Sequence, residues 1–239
     1  MILAILQARM SSTRLPGKVL RPLCGAPMIL RQIERTNRSR RIDRLVVATS
    51  DDRTDNVLTD VLEAAGVEVF RGPLDDVLGR YAGALEAKGP ADHIVRLTGD
   101  CPLVDWEVID EVIEAHLRSD VDYTANTLGE RTFPKGLDVD IVRSAVLREA
   151  AAEARDPHER EHVLPFIYNR PERYRLSGLS NALPEGELRW TVDLPEDYAF
   201  VSEVYDKLYR DKPHFLAADV RTFLSGRPDL ANAGGYRRI

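Results

Sequence analysis

Three cations and a run of small hydroxyl residues follow the first apolar stretch of the chain. Residues 2–6 read I-L-A-I-L, which predicts a buried strand, and residues 7–18 read Q-A-R-M-S-S-T-R-L-P-G-K. In a loop after such a strand, backbone N–H groups can face phosphate or base oxygens, while Arg14 and Lys18 supply positive charge. A nucleoside triphosphate is the polyanion that fits this loop.

The loop differs from the two common glycine-rich phosphate motifs. A Walker A loop has a hydroxyl residue after its lysine, whereas Val19 follows Lys18 here and no Gly stands five positions before Gly17. A dinucleotide-binding loop reads G-x-G-x-x-G, but this chain has no Gly before position 17. Phosphate binding would therefore use another arrangement.

A carboxylate follows a second apolar stretch. Residues 93–97 read H-I-V-R-L and lead into Thr98, Gly99 and Asp100. A flexible Gly followed by an Asp at the end of a buried strand places a hard oxygen ligand in the cleft, as Mg²⁺ requires when it also contacts triphosphate oxygens. We expect Asp100 to bind Mg²⁺.

A third loop carries hydroxyls and carboxylates. Residues 45–48 and Thr49 predict another buried strand, and Ser50, Asp51 and Asp52 follow it. Chemistry alone leaves two equal interpretations for the two carboxylates, because they can bind ribose hydroxyls or cap the next helix.

Strand and helix signals alternate regularly through the first half of the chain. Strand patterns at residues 2–6, 45–49, 67–70 and 93–97 alternate with helical patterns that begin near Pro27, Thr54, Val77 and Asp105. This alternation predicts an α/β fold with a mostly parallel, Rossmann-like sheet and helices on both faces. Ligands of such sheets bind at the carboxyl ends of the strands, where the three loops lie.

Composition restricts the class of protein. The chain has 239 residues, of which 44% are hydrophobic, so it can bury one full core. No apolar run approaches the roughly 20 residues of a membrane span. Cys24 and Cys101 have neither metal-ligand spacing nor the pattern of a disulfide framework. We expect a cytoplasmic protein with no membrane partner.

Charge is distributed unevenly along the chain. The net charge is −6, yet residues 1–44 hold ten Lys and Arg side chains against two acidic ones. Such asymmetry can indicate nucleic-acid binding. The basic cluster at residues 31–44 has few aromatic neighbours and lies on and after a predicted helix, so a solvated face is the better interpretation. We expect no nucleic-acid partner.

The opening loop resembles that of the sugar-acid cytidylyltransferases, whose signature reads A-R-x-x-S-T-R-L-P-G-K. The form found here looks most like the spore-coat polysaccharide biosynthesis protein F branch of that group. The resemblance implies a glycosyltransferase-A type of sheet and transfer of CMP from CTP to a 3-deoxy-ulosonic or nonulosonic acid. It also implies a set of nucleotide-binding residues: Gln7, Ala8, Arg9, Ser12, Arg14, Lys18, Thr49, Ser50, Asp51 and Thr98.

The resemblance extends to the metal ligands. Residues 193–197, D-L-P-E-D, resemble the family's D-x-P-E-D segment, whose first Asp completes a Mg²⁺ site. Asp193 would then join Asp100 as the second carboxylate, with Arg14 and Lys18 on the β- and γ-phosphates. Thr98 stands where the wider family has a Gln associated with reading the cytosine edge. Glu196 and Asp197 are expected in the first turn of a helix, where its dipole favours negative charge.

The regular alternation of strand and helix signals is interrupted between residues 122 and 187. This segment resembles an insertion that covers the active site and forms the dimer contact in related enzymes, so we expect one domain over residues 1–239 and a homodimer. The polar residues assigned to the acceptor sugar are Lys135, Asp138, Asp140, Glu161 and His162. Residues 231–238 are predicted to form a loose tail.

Two further sequence motifs are typical of other functions. Residues 158–162 read H-E-R-E-H, but Pro157 and Pro165 leave little room for the long helix of a zinc protease. Asp138 and Asp140 form a D-x-D, the motif of glycosyltransferases of this fold. That glycosyltransferase function and a non-catalytic nucleotide-binding protein remain alternatives to the cytidylyltransferase.

Overall fold

A seven-stranded sheet forms the centre of the protein in a computed structural model that describes residues 1–230. Its order is β5-β4-β1-β6-β8-β7-β9, and β8 is antiparallel to both of its neighbours while the remaining pairs are parallel. A separate hairpin joins β2 to β3. The strands are β1 (Ile2–Gln7), β2 (Pro22–Leu23), β3 (Ala26–Pro27), β4 (Arg44–Ser50), β5 (Val69–Gly72), β6 (His93–Thr98), β7 (Tyr123–Ala125), β8 (Asp140–Arg143) and β9 (Leu176–Gly178).

Helices cover both faces of this sheet, which confirms the predicted α/β fold class. They are α1 (Met28–Thr36), α2 (Asn56–Ala64), α3 (Val77–Lys88), α4 (Trp106–Ser119), α5 (Ser144–Glu153), α6 (Pro157–His162), α7 (Pro165–Tyr168), α8 (Pro195–Leu208) and α9 (Ala217–Ser225). None of the helices within residues 1–230 is both long and apolar enough to traverse a lipid bilayer.

The central strand β1 shows how the apolar sequence builds two cores. Because side chains alternate between faces of a strand, Leu3 and Ile5 enter one cluster with α3, α5 and α7, whereas Ala4 and Leu6 enter another with α1, α2 and α4. All four of these side chains are fully buried. A strand buried on both faces reads as a continuous apolar run, as residues 2–6 do.

A third apolar cluster lies beside the sheet and supports the loops at its edge. Helices α8 and α9 contribute Phe200 and Val220, which pack with Trp190. Leu15 of the loop after β1 and Leu103 after β6 join the same cluster. One core therefore holds several loops of the cleft edge together.

Asp52 caps the turn after β4, which is one of the two interpretations that the sequence left open for it, because its side chain accepts a hydrogen bond of 2.8 Å from the Thr54 amide. The sequence of residues 189–193 predicts a strand of the parallel sheet that ends at Asp193, but in the structure they lie in an extended segment with a single bridge between Arg189 and Lys135. Hydrogen bonds to other loops hold this segment in place of a strand partner.

The segment 122–187 contributes to the central sheet as well as to its surroundings. It contains β7, β8 and β9 and the helices α5, α6 and α7. Its predicted role in covering the site and forming a dimer stays a prediction. The predicted tail at 231–238 lies outside the described residues.

Candidate active site

A cleft of about 360 Å³ opens at the carboxyl ends of β1 and β6. Its position agrees with the rule for parallel sheets, since the loops after these two neighbouring strands form its walls. The predicted residues that line it are Gln7, Ala8, Arg9, Ser12, Arg14, Lys18, Thr98, Asp100, Glu161, His162 and Asp193.

The loop after β1 folds back on the carbonyl of Met10. That oxygen accepts hydrogen bonds from the amides of Ser12 at 2.9 Å and Gly17 at 3.0 Å. Gly17 has a φ of 67°, a left-handed conformation that a residue without a Cβ adopts at little cost. Within residues 1–230 the amides of Thr13 and Arg14 make no hydrogen bond. These donors are available for anionic oxygens.

The loop after β6 touches the first loop at a glycine. The Gly99 amide donates to the Gln7 carbonyl at 2.7 Å. A Cβ at Gly99 would lie only 2.9 Å from the Ala8 Cβ and 3.1 Å from the Gln7 carbonyl oxygen. The close approach therefore requires glycine, and it brings Asp100, the next residue, to the cleft.

Lys18 joins the two predicted metal carboxylates. Its buried Nζ lies 3.1 Å from Asp100 Oδ2 and 3.0 Å from Asp193 Oδ1, and it donates to the Val192 carbonyl at 2.8 Å. Burial lowers the pKa of Lys18, but the charges and hydrogen bonds of the two aspartates outweigh it and raise the pKa above its ordinary value. Asp100 and Asp193, which are 82 and 175 positions from Lys18 in the sequence, thus both contact its ammonium group.

Asp193 lies at the centre of a cationic cluster. Arg14 Nη2 lies 3.1 Å from Asp193 Oδ1, and Arg189 Nη2 lies 2.6 Å from Oδ2. Burial raises the pKa of this carboxyl, but the hydrogen bond and charge of Lys18, with Arg189 and Arg14, lower it to about 2. Asp193 is therefore ionised throughout the physiological pH range. Asp197 accepts from the Asp193 amide at 2.9 Å and lies in the first turn of α8, as the sequence predicts.

Backbone hydrogen bonds bring the two aspartates together. The Asp100 carbonyl accepts from the Val192 amide at 2.8 Å and from the Thr191 hydroxyl at 3.1 Å. On the other side of the same segment, the Trp190 amide donates to the Lys135 carbonyl at 2.7 Å. These contacts place Asp193 at the cleft, although Asp193 does not follow a strand of the sheet as its sequence predicts.

Arg96 is a cleft residue that the sequence predictions missed. It lies within β6 and lines the cleft, and its Nη1 donates to Asp140 Oδ2 at 3.0 Å. The other carboxylate oxygen of Asp140 accepts from the Tyr123 hydroxyl at 2.6 Å. The signal was an arginine inside the apolar run H-I-V-R-L, since a cation on a buried strand needs a partner.

Asp55 is a second missed residue, and it connects two loops. Its carboxylate accepts from the Met10 amide at 2.6 Å and from the Ser50 amide at 3.1 Å, and the Ser50 hydroxyl also donates to it. Ser50 and Thr49 are fully buried and Asp51 is exposed. None of these three predicted nucleotide-binding residues is among those that line the cleft.

The residues predicted for the acceptor sugar fall into two groups. Glu161 and His162 line the cleft, whereas Lys135, Asp138 and Asp140 are not among its lining residues. Asp138 forms an ion pair of 2.6 Å with Arg131. Because Asp140 also has its own internal partners, the structure does not favour a metal-binding role for the D-x-D spelling.

The H-E-x-x-H spelling lies on α6, a helix of only six residues that ends at His162. Its Glu159 forms an ion pair of 2.7 Å with Arg170. A general base of a zinc protease needs that carboxylate free to meet a metal-bound water. The local geometry thus favours the sequence interpretation that this spelling is accidental.

The two cleft aspartates fit a divalent cation. Carboxylate oxygens are the ligands that Mg²⁺ and Mn²⁺ prefer, and these two already surround a positive group, the Lys18 ammonium. Among residues 1–230, no cluster of three or more His, Cys, Asp and Glu side chains is placed to bind a metal ion. A cation held here would therefore need further oxygen ligands, such as those of a bound phosphate.

The sequence profile of cytidylyltransferases matches residues 3–221, which include every residue of the cleft described above. The chain belongs to the cytidylyltransferase family. The family match covers both the loop after β1 and the distant Asp193 segment, so it spans the complete candidate site of this cytidylyltransferase.

Individual relatives agree with this assignment. The spore coat polysaccharide biosynthesis protein SpsF of Bacillus subtilis (strain 168) is 38% identical, and the alignment covers 96% of each chain. A cytidylyltransferase structure from Leptospira borgpetersenii serovar Hardjo-bovis superimposes with a TM-score of 0.89 at 30% identity, covering 96% of this chain and 95% of the other.

A third relative matches only about half of the chain. The 3-deoxy-manno-octulosonate cytidylyltransferase of Anaeromyxobacter dehalogenans is 39% identical over 115 residues, which is 48% of this chain and 46% of that protein. The cytidylyltransferase described here is thus related to enzymes of that name and, over nearly its full length, to a protein of polysaccharide biosynthesis.

Proposed function

We propose that this cytidylyltransferase transfers CMP from CTP to the anomeric hydroxyl of a 3-deoxy-ulosonic or nonulosonic acid and releases pyrophosphate. The convergence of Arg14, Lys18, Asp100 and Asp193 in one cleft is the observation that carries the proposal. Four cationic and three acidic side chains line the cleft, so a cation bound to the acids leaves a positive surface for a triphosphate. The relatives named for 3-deoxy-manno-octulosonate support a sugar acid as acceptor.

In the proposed reaction, the sugar hydroxyl attacks the α-phosphorus and the bond to the pyrophosphate oxygen breaks. Arg14 and Lys18 bind the β- and γ-phosphates, and the free amides of the loop after β1 add hydrogen-bond donors. The hydroxyl proton leaves with solvent water. Positioning and charge neutralisation supply most of the acceleration of such transfers.

Asp100 and Asp193 would hold Mg²⁺, the proposed cofactor. When bound, the cation stabilises negative charge on the phosphate oxygens. Asp193 keeps its full charge because of its lowered pKa, and the Val192 amide and the Thr191 hydroxyl, which both donate to the Asp100 carbonyl, hold it at the Asp100 loop.

A substrate matrix tests the proposed function. Purified protein is incubated with each of the four nucleoside triphosphates and with several sugar acids, and pyrophosphate release and the nucleotide-sugar product are measured. We expect release with CTP only when a sugar acid is present, together with a product of the mass of a CMP-sugar. Hydrolysis of CTP without an acceptor, or transfer from a nucleotide-sugar to another sugar, would contradict the proposal.

A further inference from the structure

Arg96 occupies an unusual place for an arginine. It lies on β6, where the register pairs it with Ile5 of β1 on one side and with Asp140 of β8 on the other. Only 21% of its side chain is exposed, and that part lines the cleft. Its Nε is buried without a hydrogen-bond partner. The guanidinium has further N–H donors besides the one that Asp140 uses, and its exposed part can offer them to an anion in the cleft.

Asp140 and Tyr123 hold the guanidinium in one orientation. Asp140 contacts Arg96 through Oδ2 at 3.0 Å and Tyr123 through Oδ1 at 2.6 Å, so both carboxylate oxygens are used. Asp140 is 7% exposed and Tyr123 is 2% exposed, which leaves little freedom to rearrange. A guanidinium fixed in this way is ordered before an anion arrives, which lowers the entropic cost of binding it.

The position of Arg96 separates it from the cations assigned to the triphosphate. Arg14 and Lys18 come from the loop after β1 and contact Asp193. Arg96 precedes Thr98 by two residues, which places it about 7 Å further down the strand on the same face. Strand β8 and helix α6 lie on the same side of the cleft as Arg96. Glu161 and His162 of α6 also line the cleft. This wall comes from the segment 122–187.

We infer that Arg96 binds the carboxylate of the acceptor sugar acid and thereby selects acids over neutral sugars. The inference rests on the proposed function. In an ulosonic acid the carboxylate is attached to the anomeric carbon, so a fixed guanidinium on it also places the neighbouring hydroxyl for attack. Planar guanidinium groups match the two oxygens of a carboxylate. Asp140 is then a positioning residue that acts through Arg96, and it has no contact with the sugar.

Steady-state kinetics of Arg96→Gln with each substrate varied tests this inference. We expect the KM for the sugar acid to rise about ten- to hundredfold, the scale of one charge-assisted contact, while the KM for CTP changes less than threefold. The preference of the wild type for the acid over its methyl ester should disappear in the variant. Asp140→Asn and Tyr123→Phe should raise the KM for the acid by a smaller factor.

Two variants control for folding. Arg96→Gln leaves the Asp140 charge buried alone, so the double variant Arg96→Gln with Asp140→Asn removes both charges and should show the same loss of selectivity. Arg143→Gln changes an arginine at the opposite end of the β6–β8 pair, where Arg143 is in register with His93. It should leave both KM values unchanged.

The outcomes separate the inference from the proposed function. If the wild type makes the CMP-sugar and Arg96→Gln keeps its KM for the acid and its preference over the ester, the inference is wrong and the function stands. If Arg96→Gln raises the KM for CTP instead, Arg96 serves the nucleotide and the inference is wrong. A wild type that binds CTP but uses no sugar acid overturns both.

Discussion

At the scale of single residues, Arg14 and Lys18 have different surroundings although both follow β1 in the same segment. The Arg14 side chain is 57% exposed and contacts one aspartate, whereas the Lys18 side chain is 10% exposed and contacts two. Water screens the contact of Arg14 more strongly than the contacts of Lys18. Their substitutions should therefore have unequal effects.

We expect Arg14→Ala to weaken CTP binding by roughly tenfold. We expect Lys18→Met to weaken it by a larger factor, up to roughly hundredfold. Lys18→Met also leaves Asp100 and Asp193 without their shared cation, which adds repulsion between the two carboxylates. Titration calorimetry with CTP measures both effects. Arg21→Ala, outside the residues that line the cleft, is the matched control. Wild-type affinity in both variants would remove the loop from the triphosphate site.

The paired aspartates lead to a prediction about metal dependence. Asp100→Asn and Asp193→Asn keep the side-chain shape but remove one anionic ligand, so turnover should fall by at least ~100-fold, the scale of losing one electrostatic stabiliser. Excess Mg²⁺ should restore part of the activity of these variants and none of the activity of Arg14→Ala. Asp211→Asn changes an exposed aspartate and should act like the wild type. Full turnover of Asp193→Asn at limiting Mg²⁺ would show that Asp193 is only a structural residue.

At the scale of elements, Asp55 links the loop after β1 to the end of β4 through the amides of Met10 and Ser50. Asp55→Ala should loosen the loop after β1, so we expect a lower melting temperature and a CTP affinity reduced several-fold. Thermal unfolding with and without CTP measures both. Asp52→Ala, which removes a nearby cap without touching Met10, is the control. An Asp55→Ala protein with wild-type CTP affinity would show that the loop holds its shape alone.

A histidine chain connects β6, α4 and β7 at the end of the sheet away from the cleft. His93 Nδ1 lies 3.0 Å from His116 Nε2, and His116 Nδ1 lies 3.0 Å from the Thr124 hydroxyl. Burial, with the charges of His93 and Arg143, lowers the pKa of His116 from 6.5 to about 4. His116 is therefore neutral in the folded protein at pH values where the unfolded chain takes up a proton.

The sign of the pH dependence follows from that lowered pKa. The stability contributed by neutral His116 is present above pH 6.5 and is lost as the pH falls towards 4. We expect the free energy of unfolding to fall by at most about 1.4 kcal/mol per pH unit for this proton. Urea unfolding between pH 7 and pH 4.5 measures the slope, which His116→Gln should reduce and His214→Gln, at an exposed site, should not. Equal slopes in all three proteins would assign the proton to another group.

The elements show how far sequence reasoning reaches. Strands such as β1 and β6 are recognisable in the sequence, because burial on both faces of the sheet requires a nearly continuous apolar run. The route of Asp193 to the cleft could not be predicted in the same way. Its segment has no sheet ladder, and hydrogen bonds from Val192 and Trp190 to distant loops hold it. The roles of Asp55 and Arg96 likewise depend on partners that are remote in sequence.

At the scale of the whole molecule, the third apolar cluster connects α8 and α9 to the cleft loops through Leu15, Leu103 and Trp190. Phe215, which is fully buried there, should cost about 3–5 kcal/mol of stability when replaced by Ala. Because this cluster packs against the loops of the site, we expect one cooperative transition in which tryptophan fluorescence and circular dichroism change together. Leu183→Ala, at a leucine that is 49% exposed, is the control. Two separate transitions would show that the cluster unfolds independently.

The order in which the chain is made has a consequence for the Lys18 ion pairs. Proteins leave the ribosome from the N-terminus, at roughly 5–20 residues per second. Lys18 and Asp100 emerge well before Asp193, although all three meet in the finished protein. A nascent chain that ends before residue 192 lacks both the Asp193 carboxylate and the Val192 carbonyl that contact the ammonium group. On the proposed assignment of these residues, competence to bind nucleotide is acquired late in translation, after every strand of the sheet has been synthesised.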